Sequence, residues 1–125
     1  MKMYLLFSHT LTDLQIKDAK NTLKIDKFIY LSKNLQKIWS EIPPEIDDLG
    51  EHLSDIKEFL NIAKKGEYVL IQGDFGAVYH MVNFSKDLGL IPIYATTKRE
   101  TIETKVDDKI IKKSIFRHIR FREYI

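Results

Sequence analysis

Two histidines, a lysine–arginine pair and a glycine-bracketed turn are the residues of this chain whose types and spacing could do chemistry. His9 follows the apolar run Met3 to Phe7, and His118 lies in a C-terminal segment of alternating basic and apolar residues. An imidazole exchanges a proton near neutral pH, so both are candidates for acid/base work and equally for packing or hydrogen-bonding roles. Lys98 and Arg99 directly follow Thr96 and Thr97, a set suited to holding a phosphate or to a solvated surface. Gly73, Asp74, Phe75 and Gly76 lie between an apolar run and a helical pattern, where free amides could receive a phosphate. The full GxGxxG pattern is absent, and a tight turn would require the same two glycines. Ser8, Thr10 and Gln72 add hydroxyl and amide groups beside these two stretches, though Thr10 or Thr12 could simply cap a helix.

Other chemistries lack their residues. There is no cysteine, so thiolate metal sites and disulfides are excluded. No histidine pair has HExxH spacing and the carboxylates are scattered, so no metal set is indicated and no cofactor is expected. The letters Asp74-Phe75-Gly76 match a kinase metal-binding motif, but the chain is short and has no His-Arg-Asp loop. A phosphoacceptor receiver domain would need an acidic pair after its first strand, where this chain has Ser8 and His9. His52 and His80 fall in helical patterns and read as structural. Tyr4, Tyr30, Tyr79 and Tyr94 read as core, whereas Phe75 is placed by its turn at the ligand edge.

The elements that must position these residues follow from periodicity. Met3–Phe7, Phe28–Leu31, Tyr68–Ile71 and Ile91–Ala95 read as short buried strands. Thr12 and Gln15 have capping-box spacing, and a helix to about Leu23 follows with Ile16, Ala19, the stem of Lys20 and Leu23 on one face. Pro43-Pro44 must break any helix over Leu35–Ser40. Leu49, Leu53, Ile56, Leu60 and Ala63 repeat at helical spacing after Asp47 and Asp48 and before Gly66, which predicts the longest helix of the chain. A further helix runs from the glycine turn to Gly89. Thr101–Val106 and Ile110–Phe121 predict a hairpin turning at Asp107-Asp108-Lys109. Strict alternation would put Ile111, Ile115, Ile119 and Phe121 on one face of its last strand and Ser114, Phe116, His118, Arg120 and Arg122 on a cationic other face.

The expected architecture is α/β: one small Rossmann-like, three-layer domain over residues 1–125, with a mainly parallel sheet and a C-terminal β-hairpin at about 100–123. In such sheets ligands lie beyond the carboxyl ends of the strands, where the residues above would gather. The net charge of +2 hides a segregation: residues 40–67 hold eight acids and three bases, residues 98–125 nine bases and five acids. An anionic partner would meet the C-terminal end. No secretory signal or membrane-length apolar run is visible, so a cytoplasmic protein without membrane contact is expected.

Four blocks carry a resemblance: Leu5 to His9, Tyr68 to Ala77, Ile91 to Glu100 and Phe116 to Glu123. In this order and spacing they resemble a small CRISPR-associated protein family of type III systems, similar to a stand-alone CRISPR-associated Rossmann-fold (CARF-like) domain. The resemblance implies a part in cyclic oligoadenylate signalling, either as a ring nuclease that opens the messenger or as a sponge that sequesters it. For a ring nuclease it implies metal-independent attack of a ribose 2′-hydroxyl on its adjacent phosphate. His9 would be the leading acid or base and His118 the reserve, with Lys98 or Arg99 stabilising phosphate charge. Ser8, Thr10, Gln72, Gly73, Asp74, Phe75, Gly76, Thr96, Thr97 and Arg120 would bind the ligand. Cyclic tetra-adenylate is pseudo-symmetric, so a two-fold homodimer could present identical sites to its halves. A different class stays open: a single-stranded RNA-binding module using the basic C-terminal strand, with no DNA partner.

Overall fold

Apolar runs with no polar alternation fold as strands covered on both faces, and Met3–Leu6 and Tyr68–Ile71 are such runs. The computed structural model describes residues 1–125 as β1 (Lys2–Leu6), α1 (Asp13–Thr22), β2 (Lys27–Tyr30), α2 (Lys33–Ser40), α3 (Ser54–Leu60), β3 (Tyr68–Ile71), α4 (Phe75–Asp87), β4 (Ile91–Val106) and β5 (Lys109–Glu123). The sheet order is β2-β1-β3-β4-β5. The first four strands are parallel, and β5 is antiparallel to β4. This is a small α/β domain with a mostly parallel sheet and a C-terminal hairpin.

Alternation along β1 and β3 divides the core. Tyr4, Leu6, Val69 and Ile71 pack with Trp39 of α2, Ile56 and Leu60 of α3, and Ala77 and Met81 of α4. Met3, Leu5 and Leu70 point the other way, to Leu11, Ala19, Ile93 and Phe121. Thus α1 covers one face, and α2, α3 and α4 cover the other. The capping box forms as expected: Gln15 N donates to Thr12 Oγ1 at 3.2 Å, and Thr12 N donates to Gln15 Oε1 at 2.9 Å. The buried face of α1 is Gln15 and Ala19, however, and Lys20 is exposed.

The helix expected after Asp47 is largely turn. Only seven residues, Ser54–Leu60, are helical, and the longest helix is α4 with 13. At its start the Asp48 carboxylate accepts from Gly50 N at 2.7 Å, a local side-chain turn that competes with helix. At its end Glu67 Oε1 accepts from Lys64 N at 2.7 Å. The periodic apolar residues still reach the core: Leu53, Ile56 and Leu60 are fully buried.

The hairpin is longer than expected. Its first arm is β4 itself, unbroken from Ile91 to Val106, and its loop is only Asp107-Asp108. Both have left-handed φ, 48° and 64°, as the two-residue hairpin turn that matches strand twist requires. β3 pairs with β4 only as far as Ile93, so β4 and β5 continue beyond the sheet as a two-stranded ribbon.

Candidate ligand site

The order β2-β1-β3 makes the chain leave β1 and β3 toward opposite faces of the sheet, and their carboxyl ends open into a crevice. Such a switch point is where open α/β sheets take ligands. Phe7, Ser8 and His9 from the β1 end line a cavity of about 220 Å³ with Gln72 and Gly73 from the β3 end. A neighbouring cavity of about 360 Å³ shares Gln72 and Gly73 and adds Phe75, Val78, Tyr94 and Tyr124.

Packing fixes the walls of this crevice. Gln72 is a hub: its N–H donates to Leu6 O at 3.1 Å, its carbonyl accepts from Trp39 Nε1 at 3.0 Å, and its Oε1 accepts from Ala95 N at 2.7 Å. One residue therefore ties β1, α2 and β4 together. Gly73 allows a close approach: a Cβ there would lie 3.0 Å from Trp39 Nε1 and 3.2 Å from its Cε2, so the indole would have to shift by a few tenths of an ångström. Gln36 Nε2 donates to Phe7 O at 2.9 Å and fixes the opposite lip. His9 is exposed with its ring edge-on to Phe7, 5.4 Å between centroids. Ser8 and Thr10 are exposed as well, and the cap of α1 is Thr12.

The turn at residues 73–76 differs from an open phosphate cradle. Asp74 caps α4 with its own carboxylate, Oδ2 accepting from Ala77 N at 3.0 Å. An anionic ligand there would meet a carboxylate already at the positive helix end. Phe75, by contrast, is 93% exposed. Tyr79, expected in the core, is 74% exposed on the same helix.

The predicted basic cluster is divided. Thr96 to Arg99 lie within β4, not in a loop at a strand end. Alternation therefore places Thr96 and Lys98 on one face and Thr97 and Arg99 on the other. Thr96 is engaged with the backbone of Arg120, its Oγ1 accepting from Arg120 N at 3.2 Å and donating to Arg120 O at 3.0 Å. Arg99 donates to Ser114 Oγ at 3.1 Å, and Lys98 is exposed opposite Arg117. Thr97 and His118 line a separate cavity of about 340 Å³ with Thr12 and Gln15 of the α1 start.

His118 departs most from the expected cationic face. Pairing shifts between Thr96 opposite Arg120 and Thr97 opposite His118, so Ile119 is an extra residue in β5. The bulge breaks strict alternation and brings His118 and Phe121 together, with ring centroids 4.7 Å apart. The His118 side chain is only 3% exposed, and its Nε2 lies 2.7 Å from Asp18 Oδ2 on α1. Its Nδ1 is buried without a partner. Burial pushes the Asp18 carboxyl up, but hydrogen bonds from Thr22 and His118 and the charges of His118 and Arg120 outweigh it and hold the group below the usual value. His118 is thus a cross-link between α1 and the root of the ribbon.

Sequence reasoning misses Tyr124, and it places Tyr94 in the core and Arg122 on a cationic strand face without bringing them together. Tyr124 lies past the predicted hairpin, yet its hydroxyl donates to Ile71 O at 2.6 Å and its ring is 4.7 Å from that of Tyr94. Arg122 donates to Tyr94 Oη at 3.0 Å and lies over the same ring at 5.5 Å. Burial, and then the neighbouring Tyr94, push the Tyr124 phenol up. The available signal was register: Tyr94 and Arg122 become neighbours only once β4 and β5 are paired. Elsewhere, His52 Nε2 lies 3.3 Å from Ile38 O, a structural contact. No group of three or more His, Asp or Glu side chains converges. No helix is long and apolar enough to cross a membrane.

With this geometry in place, the model of the Uncharacterized protein MJ1673 family matches residues 1–122. The chain belongs to that family. Uncharacterized protein MJ1673 of Methanocaldococcus jannaschii is 60% identical over 124 residues, covering 98% of this chain and 96% of the relative. No solved structure matches the chain.

Proposed function

We propose that the chain binds a cyclic oligoadenylate, with cyclic tetra-adenylate the first choice, in the crevice between the β1 and β3 ends, and opens the ring. The observation that carries this reading is the composition of the crevice: hydroxyl and imidazole from Ser8 and His9 on one lip, and exposed Phe75 with Tyr94 and Tyr124 on the other. An adenine can stack on an aromatic face while its ribose and phosphate reach hydroxyls and an imidazole. The resemblance of the four sequence blocks to small CRISPR-associated proteins of type III systems selects the cyclic ligand among nucleotides, and with it a cytoplasmic role in switching off the signal.

In the proposed reaction the 2′-oxygen bonds to the adjacent phosphorus as the bond from phosphorus to the 5′-oxygen breaks. The 2′-hydroxyl loses a proton and the 5′-oxygen gains one, leaving a linear product with a 2′,3′-cyclic phosphate. His9 serves as acid or base, and alignment of the attacking oxygen supplies much of the acceleration. Lys98 or Arg99, which lie on opposite faces of β4, stabilises phosphate charge only if the ring extends from the crevice onto that face of the ribbon root. A two-fold homodimer would offer matching crevices to the two halves of the ring.

One observation favours sequestration without cleavage. His118 is enclosed against Asp18, so His9 is the exposed imidazole of the predicted pair, whereas ring opening both removes and delivers a proton. Incubation with cyclic tri-, tetra- and hexa-adenylate in EDTA, followed by chromatography and mass analysis, separates the readings. Ring opening is expected, and His9→Ala should slow it by about 100-fold or more with ligand still bound. Tight binding with the ring intact makes the chain a sponge. Binding to none of the rings removes the proposal.

A further inference from the structure

The two most exposed aromatic side chains of the chain, Phe75 at 93% and Tyr79 at 74%, stand four residues apart on α4. Side chains at this spacing share a helix face, and Asn83 and Lys86 continue the same stripe. Both are exposed, and neither the Asn83 amide nor the Lys86 ammonium is engaged by another group of the chain. Tyr79, Asn83 and Lys86 border a hollow of about 250 Å³ whose wall toward the crevice is Phe75, Val78 and Tyr124. The same three wall residues line the crevice cavity of about 360 Å³. The two hollows therefore lie on either side of one aromatic wall.

The polar groups of the α4 hollow select among occupants. A carboxamide sets an acceptor beside a donor, and the 6-amino group and N7 of adenine present the matching pair: the amide oxygen accepts from the amino group while Nδ2 donates to N7. Guanine and hypoxanthine show two acceptors on that edge, O6 and N7, and do not match the fork. Tyr79 offers a face on which a base can stack, and Lys86 a cation for the phosphate joined to it. A second copy of this chain fits less well. The residues bordering the hollow include no Asp or Glu, so a two-fold contact through this stripe would bury Lys86 without a partner of its own making.

We propose that the α4 hollow is a second base site of the crevice: it takes one adenine of the ligand, stacked on Tyr79 and read by Asn83, while the neighbouring adenine lies across the Phe75 wall on the Tyr94 side. The inference rests on the crevice as a nucleotide site and adds the residue that chooses the base. Asn83 acts on specificity and is remote from the bond that breaks.

Amide NMR shift mapping with adenosine 5′-monophosphate, paired with isothermal titration of cyclic tetra-adenylate, tests it. Adenosine monophosphate should shift the signals of Tyr79, Asn83 and Lys86, whereas inosine monophosphate, with O6 in place of the amino group, should leave them in place. Asn83→Ala should weaken cyclic tetra-adenylate by about 10-fold or more and abolish the adenosine preference on α4, with an unchanged circular dichroism spectrum. Asn83→Asp keeps the size but offers acceptors only, and should lose the same preference. Adenosine-selective shifts on α4 without binding of any cyclic ring would support the base site and remove the cyclic ligand. Full-strength ring binding by Asn83→Ala would overturn the inference and leave the crevice reading intact. Equal shifts with adenosine and inosine monophosphate, or α4 signals that move with protein concentration and not with nucleotide, would overturn it as well.

Discussion

Leu70 in β3 and Ile111 in β5 are both aliphatic residues in strands of one sheet, yet the first is fully buried and the second is 53% exposed. The difference lies in what surrounds each strand. β3 has a strand on either side and helices on both faces, so its side chains pack however they point. The ribbon past Ile93 has one neighbour per strand, and α1 reaches its root at Ile115 and His118, so the same residue types farther out remain open to solvent. Apolar content alone therefore does not mark the core. In the crevice region it encodes packing around a site; in the ribbon it encodes a surface.

Truncations in the crevice wall should give the largest effects. Trp39 is fully buried and holds Gln72 O at 3.0 Å, so Trp39→Ala should cost about 3 to 5 kcal/mol in denaturant unfolding. A loss below about 1 kcal/mol would mean that the wall is not packed as described. Asp18→Asn, at the junction of the two regions, should cost about 1.5 to 3 kcal/mol at neutral pH, because it removes a charged acceptor from His118 and Thr22. The folded carboxyl lies below its ordinary value of 3.8, so its contribution is present above that pH and is lost as pH falls through the lowered folded value. The stability gap between wild type and variant should therefore narrow as pH falls through that acid range. A gap that stays constant through it would exclude the Asp18 charge as the cause.

Gly73→Ala sharpens the comparison within the crevice. Its new Cβ would meet the Trp39 indole at 3.0 Å, and about 1 to 3 kcal/mol of destabilisation is expected from overpacking in a thermal or denaturant melt. Ile110, 65% exposed on the ribbon, should tolerate lysine within about 0.5 kcal/mol. A larger loss there would show that the ribbon is covered within the single chain.

What was legible before the structure follows from how local each signal is. The capping box at Thr12 and Gln15, the covered strands β1 and β3, the glycine closing α4 and the Asp107-Asp108 turn all depend on neighbours in sequence, and each lies within a residue of its expected place. The late start and early end of α3 were hidden because Asp48 and Glu67 redirect the backbone through their own side chains. The continuation of β4 through Thr96, Thr97, Lys98 and Arg99 was hidden because it depends on a partner strand. The bulge at Ile119 could not be read from alternation, and it decides which way His118 faces. Of the crevice, Ser8, His9, Gln72, Gly73 and Phe75 were legible, each at or just past a strand end. The residues that complete or brace it, Trp39, Tyr94, Arg122 and Tyr124, come from elements distant in sequence.

The central claim is that the ligand sits in the crevice and not on the ribbon. Isothermal titration of cyclic tetra-adenylate into wild type, Phe75→Ala and the Lys98→Ala/Arg99→Ala pair tests it most directly. Phe75 is 93% exposed, so its removal should leave the fold intact, and the lost stacking should weaken binding by about 10-fold or more. The Lys98/Arg99 variant should lose less. Wild-type affinity in Phe75→Ala together with loss of binding in the Lys98/Arg99 variant would contradict the account and move the site to the ribbon.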